Sequence, residues 1–563
     1  MKRLRWQLLI VFLALIAIGL LLIGQQPVIS PPAIAPQPIE GGTYTEGLIG
    51  SFLRLNPLLD NSNLPDRDVD RLIFSSLVRY DDRGLPQGDL AESWGISQDA
   101  KIYNFSLRKD VFWHDGKPLT AKDVLFTIEL LRDPDMPVPE DLRNLWKDVD
   151  VKTFNEYTIQ FKLPEAFAPF LDYLTFGILP EHILGGLSAQ EIIDDPFNAH
   201  PIGSGPYKFS QWVTQGTTVE GVSLVANDDY YQGRPFIDKV LFRYYPDQEV
   251  MFNAYEDGEI LAISRVGDEI FDQALQEPSL NFYTSRLPQI SFLLLNLDSP
   301  KVPFFQNTNI RKALLKGLNR QKIIDRIYHG QATIADGPVF PNTWAYYEGI
   351  QRIGYNSEEA IDMLKEEGYT IPAEGGAVRV SEDGTKLVFS LVYPDDENHR
   401  AIANEIKKYW NAIGVSVNLT PVPYDQLITE YLEPRLYQAA LVDLDLADSP
   451  DPDPYPFWHQ TQATGGQNYS LWNDRQASEY LEQARIIVDP KERARLYRNF
   501  QVRFVNELPA LPLFYPMYTY AVDQQVQGVR IGPLFEPSDR FETITKWYFF
   551  SEKVLQVKDT ESP

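Results

Sequence analysis

The sequence predicts an α/β protein with more than one domain, and three observations lead to this expectation. The chain has 563 residues, whereas a single hydrophobic core stops growing beyond about 250–300 residues. Short stretches with alternating apolar residues are followed by longer stretches with apolar residues at helical spacing. Repetition of strand, helix and strand, as in residues 387–419, is typical of α/β folds.

The composition excludes several classes of function. The 51 basic and 78 acidic residues give a net charge of −27, and such an acidic surface repels nucleic acid. The chain contains no cysteine, which excludes disulfides, thiol catalysis and cysteine-based zinc sites. Its six histidines show no pair at the helical spacing of metal ligands. We therefore expect no nucleic-acid partner, no metal and no cofactor.

The N-terminus predicts export. Lys2, Arg3 and Arg5 precede an apolar run from Leu8 to Ile23, which is about long enough to span a bilayer. Basic residues stay in the cytoplasm, so the rest of the chain should lie outside. We expect residues 1–24 to be an uncleaved membrane anchor. A signal peptide cleaved near Ala33–Ala35 is the alternative.

A spacer follows this segment. Residues 25–40 are rich in proline, and proline at this density gives an extended, semi-rigid linker. It would hold the folded part away from the membrane.

The stretch from Asn104 to Arg132 contains a strand, a turn and a capped helix. Asn104 to Arg108 alternates polar and apolar residues, and Asp115-Gly116 is typical of a tight turn. Thr120 with Asp123 three residues later predicts a capping box. The helix that it begins should end at Asp133-Pro134.

This stretch carries a family resemblance. FWHDGKPLTAKDV, at 112–124, resembles the signature of the extracytoplasmic solute-binding proteins of family 5, which are the oligopeptide, dipeptide and nickel receptors of ABC importers. Residues 201–207, PIGSGPY, and 511–515, LPLFY, resemble further motifs of that family. The resemblance implies a two-lobed, periplasmic-binding-protein-like II fold of the large cluster. Such a fold has an extra subdomain and a two-strand hinge.

The resemblance also implies domain boundaries. The main lobe, lobe I, would combine residues 41–60, 200–285 and 512–550, with the extra subdomain at 61–199. Lobe II would occupy residues 286–511. The chain would cross between the lobes near Ser285–Gln289 and near Asn506–Pro512. A hinge of this kind permits the lobes to close around a ligand.

Lobe II should alternate strands and helices. Ile290–Asn296 reads as an apolar strand, and Asn309 is the expected N-cap of a helix over 310–318. Asn356 should begin another helix that Gly368 ends. A strand, a helix and a strand then follow within 387–419.

The stretch that should carry recognition is Leu441–Trp458, LVDLDLADSPDPDPYPFW. It resembles the cleft segment of the family, and Asp448 matches the aspartate that pairs with the α-amino group of a peptide. A desolvated ammonium needs such a partner. Asp445 is a second candidate, and the excess of acids makes a cationic ligand plausible. The alternatives are solvated Asp-Pro turns or a calcium loop, although the glycine and closing glutamate of an EF-hand are missing.

Four further residues are candidate ligand contacts. Asn468 and Tyr469 match a family motif that follows the cleft segment, and Trp472 lies nearby. Packing beneath the loop is the alternative for these three residues. Glu46 lies on the first strand of lobe I, whose rim faces the ligand in the family. Its alternative is a solvated carboxylate at a strand end.

The expected function follows from the resemblance. It implies a monomeric extracytoplasmic receptor that captures peptides and delivers them to an ABC permease and its ATPase. A non-peptide solute in the same fold, such as a metal chelate, an oligosaccharide or an opine-like compound, is the alternative. A tethered sensor and a hydrolase are the others. We expect no enzyme because HExxH, GxSxG and catalytic cysteine are absent, although carboxylate pairs leave a glycosidase open.

Overall fold

The computed structural model describes residues 38–81, 83–446 and 451–550. The described residues of Glu40–Phe549 form one compact unit, and the described residues 38–39 and 550 fall outside it. The predicted anchor at 1–24 and most of the predicted linker lie outside the described residues. Among the residues that are described, no helix combines the length and the apolar character needed to cross a membrane.

The strands are numbered in chain order. They are β1 Pro38–Ile39, β2 Thr43–Ile49, β3 Val78–Tyr80, β4 Pro86–Gly88, β5 Ala91–Ile96, β6 Ile102–Leu107, β7 Asp150–Asn155, β8 Thr158–Lys162, β9 Tyr207–Gln215, β10 Thr218–Ala226, β11 Lys239–Tyr245, β12 Ala262–Ile263, β13 Leu280–Arg286, β14 Gln289–Leu295, β15 Ala332–Ile334, β16 Val388–Pro394, β17 Ser416–Val422, β18 Ala439–Asp445, β19 Ala510–Asp523, β20 Val526–Gln527 and β21 Tyr548–Phe550.

The α-helices are numbered in the same way. They are α1 Leu64–Ile73, α2 Ala121–Arg132, α3 Glu140–Asp148, α4 Glu181–Leu184, α5 Ala189–Ile193, α6 Gln248–Glu256, α7 Phe271–Ala274, α8 Thr308–Lys316, α9 Arg320–Ile327, α10 Ser357–Glu366, α11 Glu397–Ala412, α12 Tyr424–Gln426, α13 Tyr455–Trp458, α14 Arg475–Ile486 and α15 Pro490–Glu507. Short 3-10 helices include Ala168–Leu174 and Pro537–Phe541.

One large sheet runs through the compact unit, and strand β19 belongs to both of its halves. The order is β17-β16-β18-β14-β19-β12-β2-β11-β10-β9, and β13 and β15 also pair with β19. The first part of β19 pairs with β14, and its second part pairs with β13 in an antiparallel register. The pairing changes at Pro516–Met517.

The two halves of the sheet are connected at two adjacent points. The chain passes from β13 to β14 at Leu287–Pro288, and the Leu287 N–H donates to the Pro516 carbonyl at 2.9 Å. This arrangement confirms the predicted two-strand hinge. The second crossing lies at 516–517 rather than within 506–512, because helix α15 continues to Glu507 and β19 first pairs with β14.

Each half of the sheet has its own buried core, which confirms the two-lobed α/β fold. Buried apolar residues before the hinge cluster with those after Met517, whereas those of 290–515 form separate clusters. We call residues 40–287 with 517–549 lobe I, and the described part of residues 288–516 lobe II. Since burial of apolar surface is the main favourable contribution to folding, each lobe has its own source of stability.

The extra subdomain of lobe I is a four-stranded sheet covered by helices. The strand order is β5-β6-β8-β7, and Trp146 of α3 is buried against Phe161 and Phe170. Helix α2 begins with the predicted capping box of Thr120 and Asp123, which is confirmed. The predicted strand at 104–108 corresponds to β6, which begins two residues earlier at Ile102 and ends at Leu107.

The glycines of the PIGSGPY run are required by close packing. A Cβ atom on Gly203 would lie 1.9 Å from the Ile73 carbonyl oxygen, and one on Gly205 would lie 2.4 Å from that of Leu72. His114 holds the same run, because its Nδ1 accepts from the Gly203 N–H at 3.2 Å and its Nε2 lies 3.1 Å from the Gly205 carbonyl oxygen. The run therefore joins the extra subdomain closely to α1.

One predicted helix start in lobe II is wrong. Asn307 caps α8 by accepting from the Asn309 N–H at 2.8 Å. The side chain of Asn309 instead donates to Glu367 at 2.6 Å. The helix consequently begins at Thr308. The predicted N-cap at Asn356 is confirmed.

Candidate functional site

The acidic stretch that the sequence singles out, Leu441–Trp458, begins within β18 and continues past the end of that strand. Strand β18 pairs with β14 beside the hinge, and the next residue, Leu446, donates its N–H to the Pro288 carbonyl at 2.7 Å. The part of the stretch that directly follows β18 therefore lies at the hinge. Asp448 falls in 447–450, outside the described residues, so its contact with a ligand amine stays a prediction.

The stretch continues at Asp451, whose side chain is fixed within lobe II. Arg493 of α15 donates from Nη2 to Asp451 Oδ1 at 2.8 Å, and its Nη1 donates to the other carboxylate oxygen. Both side chains are only 6% exposed. Buried carboxylates of this kind require an ionic partner, and Arg493 supplies it.

Arg493 is itself held from several sides. Its Nε donates to the Ala484 carbonyl at 2.8 Å, and its Nη2 lies 2.8 Å from the Tyr497 hydroxyl. The guanidinium carbon lies 5.1 Å from the ring centre of Trp344. This side chain is therefore pre-organised to hold Asp451 in one position.

Asp453 is also paired within lobe II. Arg485 of α14 donates from Nη2 and Nε to Asp453 Oδ2, at 2.7 and 2.8 Å. Burial raises the pKa of Asp453, and the charge of Arg485 opposes that shift. The Asp-Pro repeat is thus not the solvated turn of the alternative interpretation at these two positions. Two of its negative charges are compensated inside the protein.

The stretch also meets lobe I. The Asp451 N–H donates to Asp172 Oδ2 of the extra subdomain at 2.8 Å, and the Tyr80 hydroxyl donates to the other oxygen of Asp172. Nearby, the backbone N–H of Trp344 in lobe II donates to the Arg83 carbonyl of lobe I at 3.0 Å. Leu446 therefore lies at the hinge, and Asp451 lies at a contact between the lobes.

Asp445 lies at the last position of β18 and is exposed. It lies opposite Gln289, the first residue after the hinge. Burial raises the pKa of Tyr424, and the charges of Asp443 and Asp445 raise it further. Asp445 is thus at the hinge end of the acidic stretch, and its ligand contact stays a prediction.

A histidine with two carboxylate partners lies beside the same strand end. His399 Nδ1 lies 2.7 Å from Asp396 and its Nε2 lies 3.3 Å from Asp443. Burial lowers the pKa of His399, but the hydrogen bond and charge of Asp443, together with Asp396, raise it above its ordinary value overall. Ser291 also donates to Asp443. Sequence analysis did not predict this group.

Asn468 and Trp472 are internal to the loop that follows. Asn468 is fully buried, and its amide donates to the carbonyls of His459 and Trp472 at 3.1 and 2.8 Å. Trp472 is 5% exposed and packs against Phe500 and Phe504. These contacts correspond to the packing alternative, and a ligand contact by either residue stays a prediction.

Tyr469 is half-buried. Its carbonyl accepts from the Tyr437 hydroxyl at 2.6 Å, and the Arg435 guanidinium lies 4.9 Å from its ring centre. Its contact with a ligand stays a prediction.

Glu46 lies in a buried ionic cluster of lobe I. Arg540 donates to its Oε1 from Nη2 and Nε at 2.6 and 2.9 Å, and the same guanidinium binds Asp68 at 2.6 and 2.7 Å. The hydroxyl of Tyr520 donates to Glu46 at 2.8 Å. Burial raises the pKa of Glu46, and Arg540 opposes that shift. Glu46 is therefore not the solvated carboxylate of the alternative, and its contact with a ligand stays a prediction.

Sequence reasoning missed the residues that organise this region. Asp172, Arg493 and Arg540 each act on a partner far away in the chain. Only Asp172 had a local signal, since it lies within a segment, FAPFLDYL, that begins with a family-like motif. No group of three or more histidine or acidic side chains among the described residues could hold a metal ion.

Comparison with known proteins identifies relatives along most of the chain. A family model for bacterial extracellular solute-binding proteins, family 5 Middle, matches residues 86–467. The oligopeptide-binding protein AppA of Bacillus subtilis is 27% identical over 527 residues, which cover 91% of this chain and 93% of AppA. The dipeptide-binding protein of Escherichia coli is 25% identical over 79% of this chain and 84% of its own length.

A solved structure agrees with these relatives. The structure of Bacillus subtilis AppA in complex with a nonapeptide matches with a TM-score of 0.65 and 26% identity. The match covers 92% of this chain and all of the AppA chain.

Proposed function

The chain belongs to family 5 of the bacterial extracellular solute-binding proteins, and we propose that it captures peptides between its two lobes and delivers them to an ABC permease. The observation that carries this proposal is the position of two described residues of the acidic stretch. Leu446 is bonded to the hinge at Pro288, and Asp451 is bonded to lobe I at Asp172. A ligand held there would touch both lobes.

The chemistry of this position suits a peptide. Asp451 and Asp453 are each compensated by an arginine, so they do not need a ligand cation. Asp448 is the remaining acid within 447–454, and it matches the family aspartate that pairs with the α-amino group. Affinity for the rest of a peptide would come from main-chain hydrogen bonds, which accept many side chains.

The proposed location is outside the cytoplasmic membrane. The apolar run at residues 8–23 follows three basic residues, an order that supports a tether with the folded part on the outer side. The proposed partners are the permease and ATPase of an importer. The protein acts as a monomer that binds its ligand without altering it.

Calorimetry tests the proposal. We expect unmodified dipeptides, tripeptides and nonapeptides to release heat and saturate one site per chain, whereas an oligosaccharide and a nickel–histidine chelate should not bind. Mass spectrometry should recover each peptide intact. Saturation by the sugar or the chelate but by no peptide would favour the non-peptide alternative, and cleaved peptide would indicate a hydrolase.

A further inference from the structure

The contact between Asp172 and Asp451 joins three parts of the molecule. Asp172 lies on the 3-10 helix Ala168–Leu174 of the extra subdomain. Its carboxylate meets the backbone of Asp451, which directly follows residues 447–450. The side chain of Asp451 points the other way, to Arg493 of lobe II. One residue thus connects the acidic stretch to both lobes.

The contact is enclosed by protein. Asp172 is 8% exposed and Asp451 is 6% exposed. The Tyr80 hydroxyl donates to the Asp172 oxygen that does not face Asp451. Because water cannot easily replace either partner, a hydrogen bond here contributes more than one at the surface. Separation of the lobes would have to break it.

The hydrogen bond between Asp172 and the Asp451 N–H does not depend on the protonation state of Asp172. Burial and the charge of Asp451 raise the pKa of the Asp172 carboxyl well above its ordinary value. A protonated carboxyl still accepts through its carbonyl oxygen. The hydrogen bond from the Asp451 N–H therefore persists in either protonation state.

Two neighbouring contacts cross the same boundary. The Arg485 guanidinium carbon lies 3.8 Å from the ring centre of Tyr455 in lobe II and 5.5 Å from that of Phe167 in the extra subdomain. The backbone N–H of Trp344 in lobe II donates to the Arg83 carbonyl of lobe I. All of these atoms belong to the chain, so the boundary can form without a ligand.

We infer that Asp172 is a positioning residue for capture, which couples lobe closure to the placement of Asp451. With the lobes together, the carboxylate of Asp172 holds the backbone of Asp451 through the Asp451 N–H. With the lobes apart, Asp451 loses its partner in lobe I and keeps its contacts with Arg493 and Tyr497 in lobe II. The ligand-binding role of the stretch rests on the proposed function, whereas the closing contact does not.

Spin labels measure the contact directly, because a chain without cysteine accepts labels only where they are introduced. Lys147→Cys in the extra subdomain and Lys322→Cys in lobe II are both exposed sites. Pulsed electron resonance on the dialysed, full-length protein then gives the distribution of distances between the lobes. We expect a population at short distance without any peptide.

Three variants and a control define the expected result. Asp172→Ala removes the acceptor and leaves the buried Asp451 N–H without it, so the ratio of closed to open molecules should fall about tenfold or more. Asp172→Asn keeps an acceptor oxygen and should retain the short-distance population. Tyr80→Phe removes the supporting hydroxyl and should give a smaller loss. Glu165→Gln changes an exposed carboxylate of the same subdomain and should have no effect.

The inference is overturned if the short-distance population is absent from the wild type, if Asp172→Ala leaves it unchanged, or if Asp172→Asn loses as much as Asp172→Ala. If Asp172→Ala does not fold, as circular dichroism will show, Tyr80→Phe decides in the same way. Peptide affinity should fall by the same factor as the closed population. Wild-type protein that closes but binds no peptide contradicts the proposed function and leaves the closing contact intact.

Discussion

Arg493 donates from both of its terminal nitrogens to the carboxylate of Asp451, and this pair fixes Asp451 to helix α15. The two residues are 42 positions apart in the chain. Their pairing holds Asp451 of the Asp-Pro repeat in a buried position against α15 of lobe II. The first prediction concerns this pair.

Removal of the guanidinium should be strongly destabilising. In Arg493→Met the buried Asp451 loses its ionic partner, and breaking such a pair costs about 3–5 kcal/mol. Urea unfolding followed by tryptophan fluorescence measures the loss. Arg495→Met is the matched control on the same helix, because Arg495 is 51% exposed and pairs with an exposed Glu492. Its cost should be about 0–1 kcal/mol, and equal losses in the two variants would contradict the buried pair.

The second prediction concerns recognition by Asp448. Asp448→Asn should weaken binding of an unmodified peptide about tenfold or more, because a desolvated ammonium loses its counter-charge. Acetylation of the peptide's α-amino group should cost the wild type a similar factor and the variant little more. Calorimetry on this two-by-two set separates an ammonium contact from a general effect of charge. Unchanged affinity in Asp448→Asn would remove Asp448 from the site, and Glu358→Gln, an exposed acid of lobe II, is the control.

The third prediction concerns acid stability and His114. Burial lowers the pKa of His114 to about 4, while an unfolded histidine titrates near 6.5. Between these values the unfolded state binds more protons, so the free energy of unfolding should fall as the pH falls from about 6.5 to 4, by up to about 3 kcal/mol.

Chemical unfolding at several pH values checks this slope. His114→Gln should lack this contribution, so the difference in unfolding free energy between wild type and variant should change with pH between about 6.5 and 4. His329→Asn is the control, because His329 is exposed and has a φ of 46°, which asparagine tolerates. A slope that survives in His114→Gln would assign it to another group.

The fourth prediction has the opposite sign. The carboxylates of Asp443 and Asp396 outweigh the effect of burial and hold the pKa of His399 above its ordinary value. Its stabilisation is therefore complete below the unfolded pKa near 6.5 and is lost as the pH rises through the folded pKa. Two-dimensional NMR of the imidazole should show a midpoint above 6.5. The loss of unfolding free energy in His399→Gln should be largest at acid pH and smaller at alkaline pH. A loss that does not vary with pH would contradict ionic pairing.

The fifth prediction concerns the glycine run beside α1. Gly203→Ala places a methyl group against the Ile73 carbonyl, and overpacking of this kind costs about 1–3 kcal/mol. Gly95→Ala in strand β5 is the control, since a Cβ there meets no atom within 4 Å. Thermal unfolding compares the two. A loss in Gly95→Ala as large as that in Gly203→Ala would show that the close approach is not the cause.

Short-range features were the predictable part of this fold. Thr120 and Asp123 lie three residues apart and form the expected capping box, and Asn356 caps its helix as expected. The one wrong cap shows the limit. Two asparagines, Asn307 and Asn309, both suit an N-cap, and the amides of both donate to Glu367. Asn307 is the cap because its Oδ1 accepts from the N–H groups of Asn309 and Ile310.

The sequence alone determined the family, the α/β class and the acidic stretch, because motifs, periodicity and capping depend on residues that are close neighbours in the chain. The tertiary structure decided which acids are compensated and which segments meet. Asp172 meets Asp451 across 279 positions, and Glu46 meets Arg540 across 494. Such pairs form only when separate lobes or strands bring their ends together. Burial makes each charge costly unless its partner is present, and no local pattern encodes that partner.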